Sequence, residues 1–523
     1  MLRRRLLSGS VAGVPDGLLA VCVLVVVIVA LPVGVTVVQA FQGGWGAVER
    51  ALRAPSSLTL LGNTVEIALI ATAICGVFGV AGAWFVERTR LPFRWLWALL
   101  LVAPLTVPLF VTSYAWAGLS TRLQGFWGAV GVIAFTYYPI VFLLCAVSLR
   151  GMDPALEESA QSLGLNGRQV FFRVVLPQLK PALLGGLLLV ALDALVEFDA
   201  LVALKVQTFS LDIYAQYQLG FSSSGAAALS FFSIALCVIL LFGEAWLRGN
   251  ANYTRVSQGA RRAPIRYELG WWKLPVLAGF VAVVAISLGI PVGTLVKWFS
   301  ESSQAALSGA SGNLHYLLPA TVTTVILGVS SALVAIILAF PVAVLAIRYK
   351  GAAATVIERG TYLSYALPDL VGAIALSYAA SHYARFLYGG FPLLVLAEAM
   401  LFVPFAVVAM RATLGQIEPA LEDSARALGC GPLRALWRVT IPLARPGIVA
   451  AGVLVFAFAL GDLSTAQVLL PLNSYTLGTE FNANSSTVAF AAAAPFAAVL
   501  ILLAVAAAYL LMTRFGKVRA FAS

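Results

Sequence analysis

Two carboxylates in matched apolar settings are the residues whose chemistry first asks for an explanation. Leu183–Ala200 is apolar except for Asp193, Glu197 and Asp199, and Ile448–Leu463 is apolar except for Asp462. Glu197 and Asp462 stand 265 residues apart. A carboxylate inside a hydrocarbon layer is costly, so one found there is a candidate functional group. Its hard oxygens suit a hard metal cation, although the spacing singles out no particular metal. The alternative is structural: both acids lie hydrated at a membrane surface and only hold the chain.

Little else is arranged for chemistry. Cys22, Cys75, Cys145, Cys237 and Cys430 have no paired spacing and read as reduced core thiols. His315 and His382 form no metal-ligand pattern. The Gly-x-x-x-x-Gly-Lys-Ser/Thr loop that cradles nucleotide phosphates is missing from the sequence. The reading is therefore of a chain that is not an enzyme, has no catalytic residue and binds no cofactor of its own.

The 265-residue offset extends to a longer stretch. Asp153-Pro154-Ala155-Leu156-Glu157-Glu158-Ser159-Ala160-Gln161-Ser162-Leu163-Gly164 is echoed by Glu418-Pro419-Ala420-Leu421-Glu422-Asp423-Ser424-Ala425-Arg426-Ala427-Leu428-Gly429. The register holds through Val174-Val175-Leu176-Pro177 and Val439-Thr440-Ile441-Pro442. A gapless register is a repeat of structure. An acid followed by proline starts a helix, with proline at the first helical position. Leu156, Ala160 and Leu163, like Leu421, Ala425 and Leu428, make a narrow apolar stripe, with Glu157, Glu158 and Gln161 pointing elsewhere. Gly164 and Gly429 stop the helix in the left-handed conformation. A second short helix is expected to follow and to break at Pro177 or Pro442. Each copy is thus a knob of two short helices set between hydrophobic spans.

This pattern resembles the "EAA" loop of permeases of binding-protein-dependent ABC importers. Ser159 and Ser424 replace its first alanine, and Asp423 replaces its glutamate. The resemblance implies that the helices 153–164 and 418–429 are coupling helices, which dock on a cytoplasmic ATPase. Their contacts would be Glu157, Glu158, Ala160, Gly164, Glu422, Asp423, Ala425 and Gly429. Two further stretches, Ser113-Tyr114-Ala115-Trp116 and Glu197–Phe209, are similar to the ferric-iron branch of that family, as is Ser474-Tyr475-Thr476-Leu477. A paired, proline-kinked segment carries Ser113 and Tyr114 in one half and Ser377 and Tyr378 in the other. These four residues, with Glu197 and Asp462, are candidates for a substrate pathway, set against a packing kink as the plainer reading.

Composition agrees independently. The chain of 523 residues is 61% hydrophobic and only 11% charged, the balance of a membrane protein. About twelve stretches approach the ~20 apolar residues that cross a bilayer. They lie near 17–38, 60–86, 95–119, 126–149, 179–201, 226–247, 273–297, 318–347, 357–381, 391–411, 446–471 and 488–513. The apolar run at the N-terminus is too long for the core of a cleaved signal peptide and reads as an uncleaved span. With both termini cytoplasmic, 27 of the 33 Lys and Arg fall on the cytoplasmic side, the knobs with them. The net charge of +11 is then a topology signal, and no nucleic-acid partner is implied. Glu197 lies ~24 Å of helix beyond Pro181, in the outer part of a ~30 Å core, and pseudo-symmetry would set it opposite Asp462.

The expected fold is therefore an all-α polytopic membrane protein, about 12 transmembrane helices in two homologous six-helix halves. The resemblance makes it the type I ABC importer permease fold. Residues 1–250 form the first half with coupling loop 153–177, 251–272 a cytoplasmic linker, and 273–523 the second half with coupling loop 418–442. The resemblance further implies two copies of an ABC ATPase as partners, which use the ATP, and an extracytoplasmic substrate-binding protein. The bacterial inner or plasma membrane is the setting, with the lipid bilayer as solvent. Ferric iron is the implied cargo, with thiamine, polyamine or phosphonate as alternatives. An ion-coupled secondary transporter is the reading from another class, and the twin knobs speak against it.

Overall fold

The computed structural model describes residues 14–42, 46, 49, 55–152, 154–219, 223–248, 266–307, 314–349, 351–415, 417 and 419–515. The basic residues Arg3, Arg4, Arg5, Lys517 and Arg519, linker residues 251–265 and the capping acids Asp153 and Glu418 lie outside the described residues, and so do the expectations placed on them. Among the described residues, nine helices are long and apolar enough to cross a membrane. They coincide with nine of the twelve expected spans. The span expected near 226–247 contains a shorter apolar helix, Leu229–Gly243.

The remaining two depart from expectation. The stretch near 95–119 is a pair of helices bent by 89°, and the one near 357–381 is a pair bent by 97°. Proline causes both breaks. Val107 and Leu367 each precede a proline and are extended, because the proline ring clashes with a helical residue before it.

The helices that matter below are, in chain order, α1 (Asp16–Gln42), α2 (Pro55–Arg88), α3 (Arg94–Val102), α4 (Leu109–Leu119), α5 (Phe126–Gly151) and α6 (Pro154–Ser162). They continue with α7 (Leu176–Val196), α8 (Asp199–Ala203) and α9 (Lys273–Val284). The later ones are α10 (Leu317–Arg348), α11 (Ala352–Gly360), α12 (Asp369–Tyr383), α13 (Phe391–Leu414), α14 (Pro419–Ala427), α15 (Ile441–Gly461) and α16 (Ser464–Leu469).

The chain forms two compact units. In the unit built mainly from residues 52–212 and 232–297, α2, α5 and α7 pack on one another, α4 lies on α5 and α8, and α9 lies on α3. The other unit takes residues 1–51, 213–231 and 298–520, and there α10, α13 and α15 pack in the same three-helix arrangement. In that unit α1 lies against α10 and α12. Its core is rich in small and branched residues, Ala335, Ala339, Val403, Ala406 and Val455 among them.

Small residues let membrane helices approach closely where no hydrophobic drive separates helix from lipid. The tightest case in the first unit is Gly79 of α2, where a Cβ would lie 2.6 Å from the Val141 Cβ of α5. Gly62, on the same helix, has open space around it. Gly79→Leu should therefore lower the thermal stability of detergent-solubilised protein by about 1–3 kcal/mol through overpacking. Gly62→Leu should leave it within about 0.5 kcal/mol of the parent. Equal unfolding temperatures for the two variants would refute the close approach of α2 and α5.

Candidate functional site

Both knobs are built as their sequences dictate. α6 and α14 open on Pro154 and Pro419. Gly164 and Gly429 then take φ of +85° and +84°, a conformation that side chains with a Cβ resist. The Gly164 N–H donates to the Gln161 carbonyl (2.9 Å) and the Leu165 N–H to the Ala160 carbonyl (3.2 Å). Gly429 and Cys430 repeat this on Arg426 (2.9 Å) and Ala425 (3.0 Å). These bonds satisfy carbonyls that the helix end leaves open.

After the turn the chain does not break at Pro177 or Pro442, contrary to expectation. It runs through a π-helical turn, Phe171–Val175 or Leu436–Thr440, straight into α7 or α15. The wider turn spares the proline's absent N–H, and both prolines occupy the first positions of the following helix. Each knob is therefore joined to a membrane span by continuous helix.

The knobs face otherwise than a simple apolar stripe would have them. Ala160 and Glu157 are buried, while Leu156 is exposed and Leu163 is 84% exposed. Likewise Leu421 is exposed and Leu428 is 86% exposed. Glu158, Asp423, Gly164 and Gly429 also lie on exposed positions, and Ala425 is half-buried. The outward surface of each knob is thus leucine with an acid beside it.

Glu157 and Glu422, grouped by sequence with the partner contacts, turn inward onto arginines of their own chain. Arg88, fully buried at the end of α2, pairs with Glu157 at 2.9 Å and donates to the Leu149 carbonyl at 3.0 Å. Arg348, at the end of α10, pairs with Glu422 at 2.6 Å and donates to the Ile417 carbonyl at 3.2 Å. The Thr440 hydroxyl adds a bond to Glu422 at 2.8 Å. A second pair flanks each: Arg150 with Glu87, and Arg411 with Glu358.

The first knob has one more support, which sequence reasoning missed. Tyr267, at the described end of the linker, exchanges backbone bonds with Arg88 (2.8 Å) and Arg90 (3.1 Å) and forms a parallel bridge with Thr89. Its hydroxyl donates to Glu157 (3.3 Å) and accepts from Gln161 (3.0 Å), while its ring stacks on Trp84. Burial pushes the Glu157 carboxyl above its ordinary range, and the Arg88 charge and Tyr267 hydroxyl oppose that rise. A partner 110 residues away leaves no local signal in the sequence.

The pathway candidates sit at breaks in the spans. The expected spans near 179–201 and 446–471 stop earlier, at Val196 and Gly461. Glu197 and Asp462 occupy the two breaks in the same manner. A carboxylate oxygen of Glu197 accepts the Ala200 N–H at 3.0 Å, and one of Asp462 accepts the Thr465 N–H at 3.1 Å. Each therefore caps the short helix that follows, α8 or α16, which is the structural half of the expectation. Ser113 and Tyr114 are buried in α4, and the Ser113 hydroxyl is turned back onto the Leu109 carbonyl at 2.8 Å. Ser377 and Tyr378 are half-buried on α12, where the Tyr378 ring lies 4.1 Å from that of His382. Among the described residues no three His, Cys, Asp or Glu side chains gather as a metal site, and all five cysteines are free. Glu398, fully buried in α13, was also missed, since it lies in a run read only as a span.

Removing one partner of a buried ion pair strands the other, at a cost of about 3–5 kcal/mol. Arg88→Met should therefore destabilise the purified protein by that amount, and Arg88→Met with Glu157→Leu should recover most of it. Thermal unfolding of the two variants checks this. A double variant no more stable than the single one would remove the ion pair as the tie between knob and span.

The sequence matches one protein family twice, over residues 77–249 and 332–517. It is 31% identical over 489 residues to a Fe(3+)-transport system permease protein of Haemophilus influenzae, covering 93% of this chain and 96% of that one. A ferric transport system permease protein of Actinobacillus pleuropneumoniae is 22% identical, over 87% of this chain and 71% of its own length. A sulfate transport system permease protein of Salmonella typhimurium is 31% identical over 92% of its length but only 46% of this chain, so it corresponds to a single repeat. The duplicated match, the twin knobs and the apolar helices together place the chain, a multi-pass membrane protein and not itself an enzyme, in the family of binding-protein-dependent transport system inner membrane components.

Proposed function

We propose that this chain is the fused permease subunit of an ABC importer that carries ferric iron inward. The observation that carries the cargo is the end-to-end match to the Haemophilus influenzae Fe(3+) permease, at 96% of that protein's length. The sulfate permease, by contrast, corresponds to less than half of this chain. On this reading an extracytoplasmic binding protein delivers the ion, and two ATPase subunits bind and hydrolyse ATP, none of which this chain holds.

The knobs are the docking points for the ATPases. Leu156, Leu163, Leu421 and Leu428 offer apolar contact, and Glu158 and Asp423 offer charge to basic residues of the partner. Glu157 and Glu422 act from behind, tying each knob to its own span, so that a push on the knob is delivered to α2 and α7 or to α10 and α15. Ala160 and Ala425 let the helix sit close to that tie, and Gly164 and Gly429 allow the turn into the span. ATP-driven closure of the partners would then swing the halves between outward- and inward-open states. Glu197 with Ser113 and Tyr114 in one unit, and Asp462 with Ser377 and Tyr378 in the other, are the residues of this reading's substrate pathway. The distribution of lysine and arginine supports a cytoplasmic position for the knobs and both termini.

Radio-iron uptake, with thiamine in parallel, in cells lacking and expressing the gene tests the proposal. Iron uptake should require the gene and should fall to background in a Gly164→Val/Gly429→Val variant present at normal membrane levels. Gene-dependent thiamine uptake without iron uptake would keep the machine and discard the cargo. Uptake that survives the double substitution would sink the role of the knobs.

A further inference from the structure

Tyr267 joins three parts of the first unit at one point. Its backbone bonds hold it to Arg88 and Arg90, at the end of α2 and just beyond. Its ring stacks on Trp84, with 5.8 Å between centroids. Trp84 in turn meets Phe171, the first residue of the π-helical turn, edge-on at 4.8 Å. The Tyr267 hydroxyl stands between Gln161 and Glu157, both on α6. Span, turn and knob thus close on a residue that belongs to none of them, since it precedes α9 in the chain.

A difference between the repeats explains why such a residue is needed. In the second knob Glu422 takes its ion pair from Arg348 and a further hydrogen bond from Thr440, the last residue of its π-helical turn. The residue in register with Thr440 in the first repeat is Val175, equally buried but without a donor. Each π-helical turn packs on its own knob, so the two positions correspond in place as well as in register. A buried carboxylate is costly unless donors serve its oxygens. For Glu157, Arg88 supplies the charge and Tyr267 supplies the hydroxyl that Val175 lacks. Gln161 donates to that hydroxyl, which leaves the phenolic proton to point at Glu157. In register with Gln161 stands Arg426, which lies 4.0 Å from Asp423 on the exposed surface of α14.

We propose that Tyr267 is a positioning residue for the first coupling helix. The chain beyond the linker sets how α6 is presented to its partner, whereas Arg348 and Thr440 hold α14 from within its own repeat. That α6 couples to an ATPase rests on the importer reading above; that Tyr267 fixes α6 does not.

Tyr267→Phe removes one hydroxyl and keeps the ring on Trp84 and the backbone bonds. In the purified full-length chain, amide hydrogen exchange over α6 should quicken about three- to tenfold, with α14 unchanged as the internal reference. Adding Val175→Thr, which copies the second repeat, should return α6 towards the parent rate. At matched membrane levels, Tyr267→Phe should lower the maximal rate of radio-iron uptake about threefold or more with KM unchanged. Val175→Thr should again restore it. Quickened exchange confined to α6 and reversed by Val175→Thr, in a parent that carries no iron, would keep the positioning role and discard the cargo. Exchange over α6 equal to the parent's, or α6 and α14 loosened together, would overturn the proposal. So would a loosened α6 that Val175→Thr does not tighten, or one that leaves the uptake of an iron-carrying parent unaltered.

Discussion

A carboxylate taken out of water beside a membrane needs a counter-charge within reach, and that requirement organises both knobs. Glu157 and Glu422 meet it with Arg88 and Arg348, each at the terminus of a long span. Because the acid is on the knob and the arginine on the span, neither can move far without stranding a buried charge. The π-helical turns add a second, covalent route from each knob into α7 or α15. With the acids turned inward, Leu156, Leu163, Leu421 and Leu428 are left on the outer surface.

The two halves share this plan but differ in its details. The first knob is held by Tyr267 from the linker, the second by Thr440 from its own π-turn. The second half places Glu398 where the first has Ile133. A fused chain is free to drift in this way, since each half is inherited with only one partner half. The sulfate permease that corresponds to one repeat shows that the repeat also exists as a chain of its own.

Much of the architecture was legible in the sequence, for local reasons. Gly164 and Gly429 end their helices with positive φ because the helix needs a residue without a Cβ there, and Pro154 and Pro419 begin them because the first helical N–H is not needed. Nine spans were visible as apolar runs of sufficient length. What escaped depended on contacts distant in sequence. The inward turn of Glu157 is dictated by Arg88, and the support from Tyr267 comes 110 residues later. The right-angled breaks at Val107 and Leu367 were read as kinks, since proline reports where a helix is interrupted but not by how much it bends. Glu197 and Asp462 share the 265-residue offset and cap the following helices alike, yet that capping role depends on breaks that hydrophobicity alone does not mark.

The packing of α1 against α10 and α12 has a consequence for how the chain is made. Because α1 is made before α10, it finds these neighbours only after about 275 further residues have been synthesised. At about 5–20 residues per second that is a delay of about 15–55 s. Throughout it, a buried face carrying Cys22, Val25, Val29 and Thr36 is exposed to lipid or to whatever insertion factor holds it. Assembly therefore seats α1 only once α10 and α12 have been made, long after α1 itself.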